Sequence, residues 1–458
     1  MTTLRFLLAL WIGKSARLFV RLIGQGSGTA LPGLLALNID PTFLHTGLKQ
    51  LKDDCIVISG TNGKTTTAQM VRAVMKPPHQ SLLMNKEGSN LLRGIASSII
   101  EHSRLDGHIQ ASLGLFELDE ATLPLLLDIQ PPRILVLLNL FRDQLDRYGE
   151  VDLIRKKWAD AIKKLPTETR LVLNADDPLV ASLGKGWSNV VFFGIDDVSA
   201  ASEKPASHLD VRACPSCGGK LAMRNFFASH LCHYQCQKCS FHRPKPDIAA
   251  IHIISNGLEE TDIGVVIHGK RQRLTIPIPG LPAVYSTLAT CAVAHILELD
   301  KTVVLDALRA LPRPFGRWER IEINGQKILL ILIKNPAGAS AVLDTLAGTK
   351  HNTLLLALND NLADGTDVSW IWDTPFEKLP GAKRVIVTGT RANDLALRFK
   401  YAERKTIEVV SSLKQAIIRG LHVKHGSDTG SLTILATYTA MLAIRKILTG
   451  SHLGGVQE

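Results

Sequence analysis

Apolar positions along the chain recur in two rhythms. Short continuous apolar runs, "CIVISG" from Cys55, "LGLFELDE" from Leu113, "RILVLLNL" from Arg133, "RLVLNADDP" from Arg170 and "NVVFFGID" from Asn189, are separated by stretches of helical period. Runs of that length read as buried strands, and their alternation with helices predicts a largely parallel sheet covered on both faces. The segment "GLPAVYSTLATCAVAHILEL" predicts a helix lying on that sheet. After the proline-rich "LPRPFGR", Leu311 to Arg317, the rhythm resumes with "KILLILI", "TLLLALND", "RVIVTG", "TIEVV" and "LTILAT" as strands and "RANDLALRFKYA" and "SLKQAIIRGL" as helices. The expected fold is therefore α/β throughout. An N-terminal helix and linker occupy 1–40, a central domain with a parallel-rich sheet 41–315, an inserted segment 210–243, and a Rossmann-like C-terminal α/β domain 316–458. No internal repeat or low-complexity segment interrupts this order.

The first strand ends in "GTNGKTTT". Gly60 and Gly63 allow a left-handed backbone and close approach, and a helix beginning near Thr65 turns free N–H groups toward an anion. A strand, a glycine turn and a helix in that order hold a chain of phosphates: Gly60, Thr61, Asn62, Gly63 and Thr66 line it, Lys64 reaches the β/γ-phosphates, and the Thr65 hydroxyl ligates Mg²⁺. The eight-residue form of this loop requires glycine where Ile58 stands, so the fit is to a shorter variant.

Composition narrows the partners. The 458 residues are 45% hydrophobic, enough for real cores, and 53 Lys plus Arg against 42 Asp plus Glu give a net charge of +11. That balance suits nucleic acid, an anionic membrane surface or phosphorylated ligands. Aromatic residues are only 5% and no nucleic-acid-binding signature accompanies the charge, so no nucleic acid partner is expected. The opening "LRFLLALWIGKSARLFVRLIG" is interrupted by Lys14, Arg17 and Arg21, lacks a small-residue cleavage site and is too short to span a bilayer. Two readings stand: an amphipathic helix on a membrane surface, or a helix packed on its neighbouring domain.

Five of the seven cysteines fall between Cys214 and Cys239. Cys214-x-x-Cys217 and Cys236-x-x-Cys239, with 18 residues between them, have the spacing of paired zinc knuckles. Four thiolates close a tetrahedron with no open position, so the expected Zn²⁺ is structural. Cys232, His230, His233 and His242 are nearby alternatives, whereas Cys55 and Cys291 lie in apolar runs and read as inert core residues.

Together, "GTNGKTTT", "FELDEA", "NLFRDQLDRYGE", "NADDP", "CPSC…CQKC", "KNPAG" and "LNDNLADGTDVSWIWD" resemble the MurT family of Mur ligases, from the N-terminal helix to about Arg391. The resemblance implies a Mur-ligase-type central domain without the family's UDP-binding domain, carrying a zinc ribbon. It implies an ATP- and Mg²⁺-dependent ligase of lipid II isoglutaminyl synthase, cytoplasmic or peripheral at the inner membrane face. That enzyme phosphorylates the α-carboxyl of D-glutamate in the lipid II stem peptide, which ammonia from a GatD-type glutaminase partner then attacks. Ammonia is mostly protonated in neutral water, which explains why it would be released beside its target by a second subunit.

The resemblance also assigns residues. Glu117, at the end of "LGLFE", takes the metal-site glutamate position, with Asp119 and Glu120 as near competitors. Asn139, Asp143 and Asp146 reach the same sheet edge. Gln144 stands where a histidine is usual, and Ala159 where many members carry a modified lysine, so neither role is carried over. Arg317 matches a phosphate-contacting arginine. Ala283 and Ser286 replace the asparagines of a nucleotide-holding segment. Asp367, with Asp364 as runner-up, is the carboxylate that orients an imidazole of the glutaminase. Trp370 and Trp372 read as alternating on one strand. A stand-alone folylpolyglutamate-synthase-like ligase and a non-catalytic scaffold are the competing readings.

Overall fold

The computed structural model describes residues 4–23, 30–75, 82–85, 89–143, 151–205, 209–267, 269–311, 318–323, 325–347, 353–379, 384–403, 406–421 and 432–450. The first sheet contains β1 (Cys55–Ser59), β2 (Leu82–Met84), β3 (Leu113–Leu118), β4 (Ile134–Leu137), β5 (Arg170–Asn174), β6 (Val190–Ile195), β9 (Ile248–Asn256), β10 (Glu260–Ile267) and β11 (Lys270–Ile276); β7 (Leu221–Ala228) and β8 (Leu231–Cys236) form a separate hairpin. The nine strands lie in the order β11-β10-β9-β6-β5-β4-β1-β3-β2. From β2 to β9 every pairing is parallel, and β9, β10 and β11 close the sheet as an antiparallel meander.

Sequence explains the difference within this sheet. Strands β1, β3 and β4 are buried at every position and consist almost wholly of apolar residues. Strand β10 alternates buried and half-buried positions, as a strand with one wet face should. Between the inserted segment and the helix Leu281–Ile296 the chain thus forms an antiparallel meander and not a further αβ unit.

A second sheet contains β12 (Glu319–Ile323), β13 (Gln326–Leu332), β14 (Thr353–Ala357), β15 (Arg384–Thr388), β16 (Glu408–Val409) and β17 (Leu432–Ala436), in the order β12-β13-β17-β14-β15-β16. Only β12 is antiparallel. One core cluster is shared: Ile56, Val136 and Val71 beneath the first sheet join the helix Leu281–Ile296 and continue to Leu329, Leu354 and Val387 of the second.

The N-terminal helix Leu4–Ile23 packs on the helices Leu31–Ile39, Phe43–Leu48 and Leu92–His102, burying Phe6, Ala9 and Leu10, with Phe6 stacked on Phe43 at 4.7 Å. Much of the expected linker is therefore helical, as the first of these three helices, Leu31–Ile39. Its Gly33 is required by proximity, since a Cβ there would lie 1.9 Å from the Arg93 carbonyl oxygen. Residues Ser369–Trp372 form a 3₁₀ turn rather than the expected strand: Trp370 packs on the core and Trp372 is exposed against Tyr401. Among the described residues no helix is long and apolar enough to cross a membrane.

Candidate active site and metal centre

The turn after β1 has the geometry its glycines allow. Gly60 has φ 138° and Gly63 φ 92°, and the helix Lys64–Val74 starts directly behind them. A Cβ on Gly60 would stand 3.0 Å from both the N and the O of Asn139, so the turn is pressed against the end of β4. Asn139 ties it down from both sides: its Oδ1 accepts from Asn62 N at 2.8 Å and its Nδ2 donates to Asn62 O at 3.0 Å. The Thr61 hydroxyl accepts from Phe141 N at 3.0 Å and donates to its carbonyl at 3.2 Å. Thr65 is half-buried and Thr66 buried in the first turn of the helix.

Three neighbouring acids, inseparable by sequence, do different things. Asp119 Oδ1 accepts from Ala121 N at 3.0 Å and closes a turn. Glu120 is buried and takes the Lys64 ammonium at 3.0 Å. Burial pushes the Glu120 carboxyl up, but Lys64 and Lys334 outweigh it and hold the group below the usual glutamate value. Glu117, paired in register with Ile58 of β1, is buried too, and its Oε2 accepts no hydrogen bond among the described residues. An unpaired buried carboxylate oxygen is costly in isolation and fits a cation ligand. Asp143 Oδ1 likewise has no partner among the described residues, while its Oδ2 accepts from Lys334 at 2.8 Å. With the glycine cradle, Lys64 and a half-buried Thr65, these residues fit a nucleoside triphosphate with its magnesium.

The second sheet reaches this turn through contacts between residues hundreds of positions apart. Asn62 and Asn335 exchange side-chain amide hydrogen bonds at 3.3 and 3.1 Å, and Asn335 also caps the helix Pro336–Leu346. Lys334 meets Asp143, and Arg142 pairs with Asp373. "KNPAG" was visible as a motif, but nothing in the sequence showed where Lys334 and Asn335 would land.

Ala283 and Ser286 lie in the first turns of the helix Leu281–Ile296 and are buried. Ser286 faces the glycine turn: its Oγ lies 3.5 Å from where a Gly63 Cβ would stand, and it donates to its own helix at Pro282 O. Gly316, Arg317, Gln144 and Asp146 lie outside the described residues.

The two carboxylates of "DGTD" are also distinguished. Asp364 is buried and accepts from Thr439 N at 2.7 Å and from the Thr439 hydroxyl. Asp367 is exposed and accepts only from Ser369 among the described hydrogen bonds; the Ser369 N–H, first, and Arg142 more weakly hold its carboxyl below the usual aspartate value.

In the inserted hairpin, the Sγ atoms of Cys214, Cys217, Cys236 and Cys239 all lie within 4.8 Å of one another. Cys214–Cys239 are 3.7 Å apart and Cys217–Cys236 3.6 Å. A tetrahedron with Zn–S of about 2.3 Å has S···S edges of about 3.8 Å, whereas a disulfide needs about 2.05 Å. Burial opposes ionisation of Cys236, but Lys238 and Cys239 N–H groups donate to its Sγ and pull the thiol down to about 6. The alternatives fall away. Cys232 is buried with its thiol pushed far up by burial, His233 bonds the Ile195 carbonyl, and His230 sits wholly buried beside Asp177 at 3.3 Å. His242 bonds the carbonyl of Ser240.

Known proteins identify the family. A model of the Mur ligase middle domain matches residues 58–213 and one of the MurT ligase C-terminal domain residues 332–441. The chain is 31% identical over 456 residues to the MurT subunit of the glutamine-hydrolysing lipid II isoglutaminyl synthase of Streptococcus pneumoniae, covering 98% of both chains. It is 32% identical over 454 residues to that of Staphylococcus aureus, again covering 98% of both. In fold it is similar to a pseudomurein peptide ligase of Methanothermus fervidus, with TM-score 0.67 and 21% identity over 87% of this chain and 79% of that one.

Proposed function

The chain belongs to the MurT family of Mur ligases, ATP-dependent carbon–nitrogen ligases of peptidoglycan synthesis, and from that premise we propose that it is the ligase subunit that amidates lipid II. The finer reading is conversion of the α-carboxyl of stem-peptide D-glutamate to D-isoglutamine in the cytoplasm, using ammonia from a GatD-type glutaminase held as a heterodimer. ATP with Mg²⁺ supplies the activating chemistry, turning a poor electrophile into an acyl phosphate.

The chain's own residues then have separate tasks. Backbone N–H groups of Gly60 to Thr66 cradle phosphates, and Arg317 adds a guanidinium. Lys64, paired with Glu120 here, would meet a phosphate, Glu117 and Thr65 would hold the magnesium, and Asp367 would orient the glutaminase imidazole. Cys214, Cys217, Cys236 and Cys239 hold a structural zinc that stabilises a hairpin too small for a core of its own.

The unpaired Oε2 of buried Glu117, beside a glycine turn carrying a buried lysine, supports this reading most. The test is mass analysis of lipid II after incubation of the purified chain with its glutaminase, glutamine, ATP and Mg²⁺. Amidated product is expected only when all are present; no ATP consumption under these conditions would refute the reading. One observation favours a scaffold that only activates the glutaminase: the Ser286 hydroxyl is spent on its own helix. ATP binding by the isolated chain separates the two.

A further inference from the structure

The N-terminal helix buries one face and leaves the opposite one apolar. At 100° per residue, Leu4, Leu8, Ile12, Leu18, Phe19 and Leu22 fall in one arc of about 120°, diametrically across from Phe6, Ala9 and Leu10. These six side chains are between 44% and 77% exposed, along about 27 Å of helix. Trp11, itself 42% exposed, lies in the same arc and donates its indole N–H to the carbonyl of Leu105, a leucine 69% exposed that widens the stripe. Ser15, also exposed, is the one polar residue in this arc, and an otherwise apolar strip of this length on a folded surface marks an interaction site.

Charge says what that is. Between Met1 and Ile39 the sequence has no acidic residue. Arg5 lies at one edge of the apolar arc and Lys14 and Arg21 at the other. Arg5 and Lys14 are held there by bonds to the carbonyls of Ile39 and Ile100, and Arg17, further round, is paired with Glu101. A second copy laid on the stripe would bring like charges together along both edges. A convex helix with apolar residues outward and cations at its margins instead matches a surface that is apolar beneath and anionic above.

We propose that this helix docks the protein flat on an anionic phospholipid bilayer, with Leu4, Leu8, Leu18, Phe19 and Leu22 inserted among the acyl chains and Arg5, Lys14 and Arg21 at the phosphates. The buried face of the helix packs on the helices Leu31–Ile39, Phe43–Leu48 and Leu92–His102, so docking brings that side of the molecule to the membrane. This assignment depends on the helix alone and not on the ligase reading.

Flotation of the full chain with vesicles tests it, without nucleotide or lipid II, so failure here leaves the ligase reading standing. The chain should float with vesicles containing phosphatidylglycerol and far less with phosphatidylcholine alone, and added salt should weaken binding. Leu18→Ser/Phe19→Ser/Leu22→Ser should lower the bound fraction about tenfold or more, with the circular dichroism melt unchanged because the residues are exposed. Arg21→Glu should reduce binding to anionic vesicles specifically. Absence of flotation, or flotation unaffected by the triple substitution, would overturn the proposal. So would a wild-type dimer that the triple substitution dissolves, since a second copy would then be the occupant.

Discussion

The glycine turn at Gly60–Lys64 and the loop carrying Asp367 sit at the ends of parallel strands in two sheets of similar construction, yet they are built oppositely. The first is enclosed: Lys64, Glu117, Glu120 and Asn139 are all buried, and its backbone is fixed by reciprocal bonds to Asn139 and Phe141. The second is open, with an exposed carboxylate bonded to one backbone N–H two residues on. A site that must hold a charged ligand and exclude water is completed within one chain. A carboxylate left at the surface, its negative charge favoured by the Ser369 N–H, stays accessible, as the role proposed for Asp367 requires.

Substitutions can break this contrast. Lys64→Ala should lower ATP-dependent amidation by at least about a thousandfold while the glutaminase still co-purifies; retained product formation would remove the loop from the reaction. Asp367→Asn should lower glutamine hydrolysis by the pair by about a hundredfold or more and leave ATP binding intact. Asp364→Asn sharpens the distinction, because its oxygens serve Thr439: the expected result is a loss of about 1–3 kcal/mol in stability, read from denaturant unfolding. If hydrolysis fell selectively in that variant instead, the assignment between the two aspartates would reverse.

Zinc removal probes a third mode of construction. Chelation or Cys214→Ser should release about one zinc per chain and expose the hairpin Leu221–Cys236 to proteolysis, as expected where a metal replaces a core. The smallest effect concerns pH. The Glu120 carboxyl is held below its ordinary value in the folded chain, so its pair with Lys64 contributes stability that is complete above the ordinary glutamate pKa. That contribution is lost as pH falls through the lower folded value. Glu120→Gln should therefore narrow the stability difference between neutral and acid unfolding; an unchanged acid transition would show that the pair adds nothing.

Much of this was legible in the sequence because the signals are local. The glycine turn, the parallel strands and the two Cys-x-x-Cys turns each declare themselves within a few residues, and the last two lie only 18 residues apart. What sequence hid was either a choice among neighbours or a meeting of distant segments. The acids at 117, 119 and 120 share one short stretch, and only side-chain partners separate them. The 3₁₀ turn at Ser369–Trp372 overrode an alternation that would suit a strand, because Ile371 is buried within a tight turn held by Asp367 and Thr374. Of the two possibilities for the N-terminal helix, packing on its neighbours is seen on one face, and the other face carries the proposal made above.

The joint between the sheets combines unlike contacts at the same place: the neutral amide pair Asn62–Asn335, and the ion pairs Arg142–Asp373 and Lys334–Asp143. Dissolved salt screens the ionic contacts and hardly touches the amides. Raising ionic strength therefore weakens the half-exposed pair Arg142–Asp373 first, while the amide pair and the apolar cluster shared by both sheets keep the phosphate turn in register with each of them.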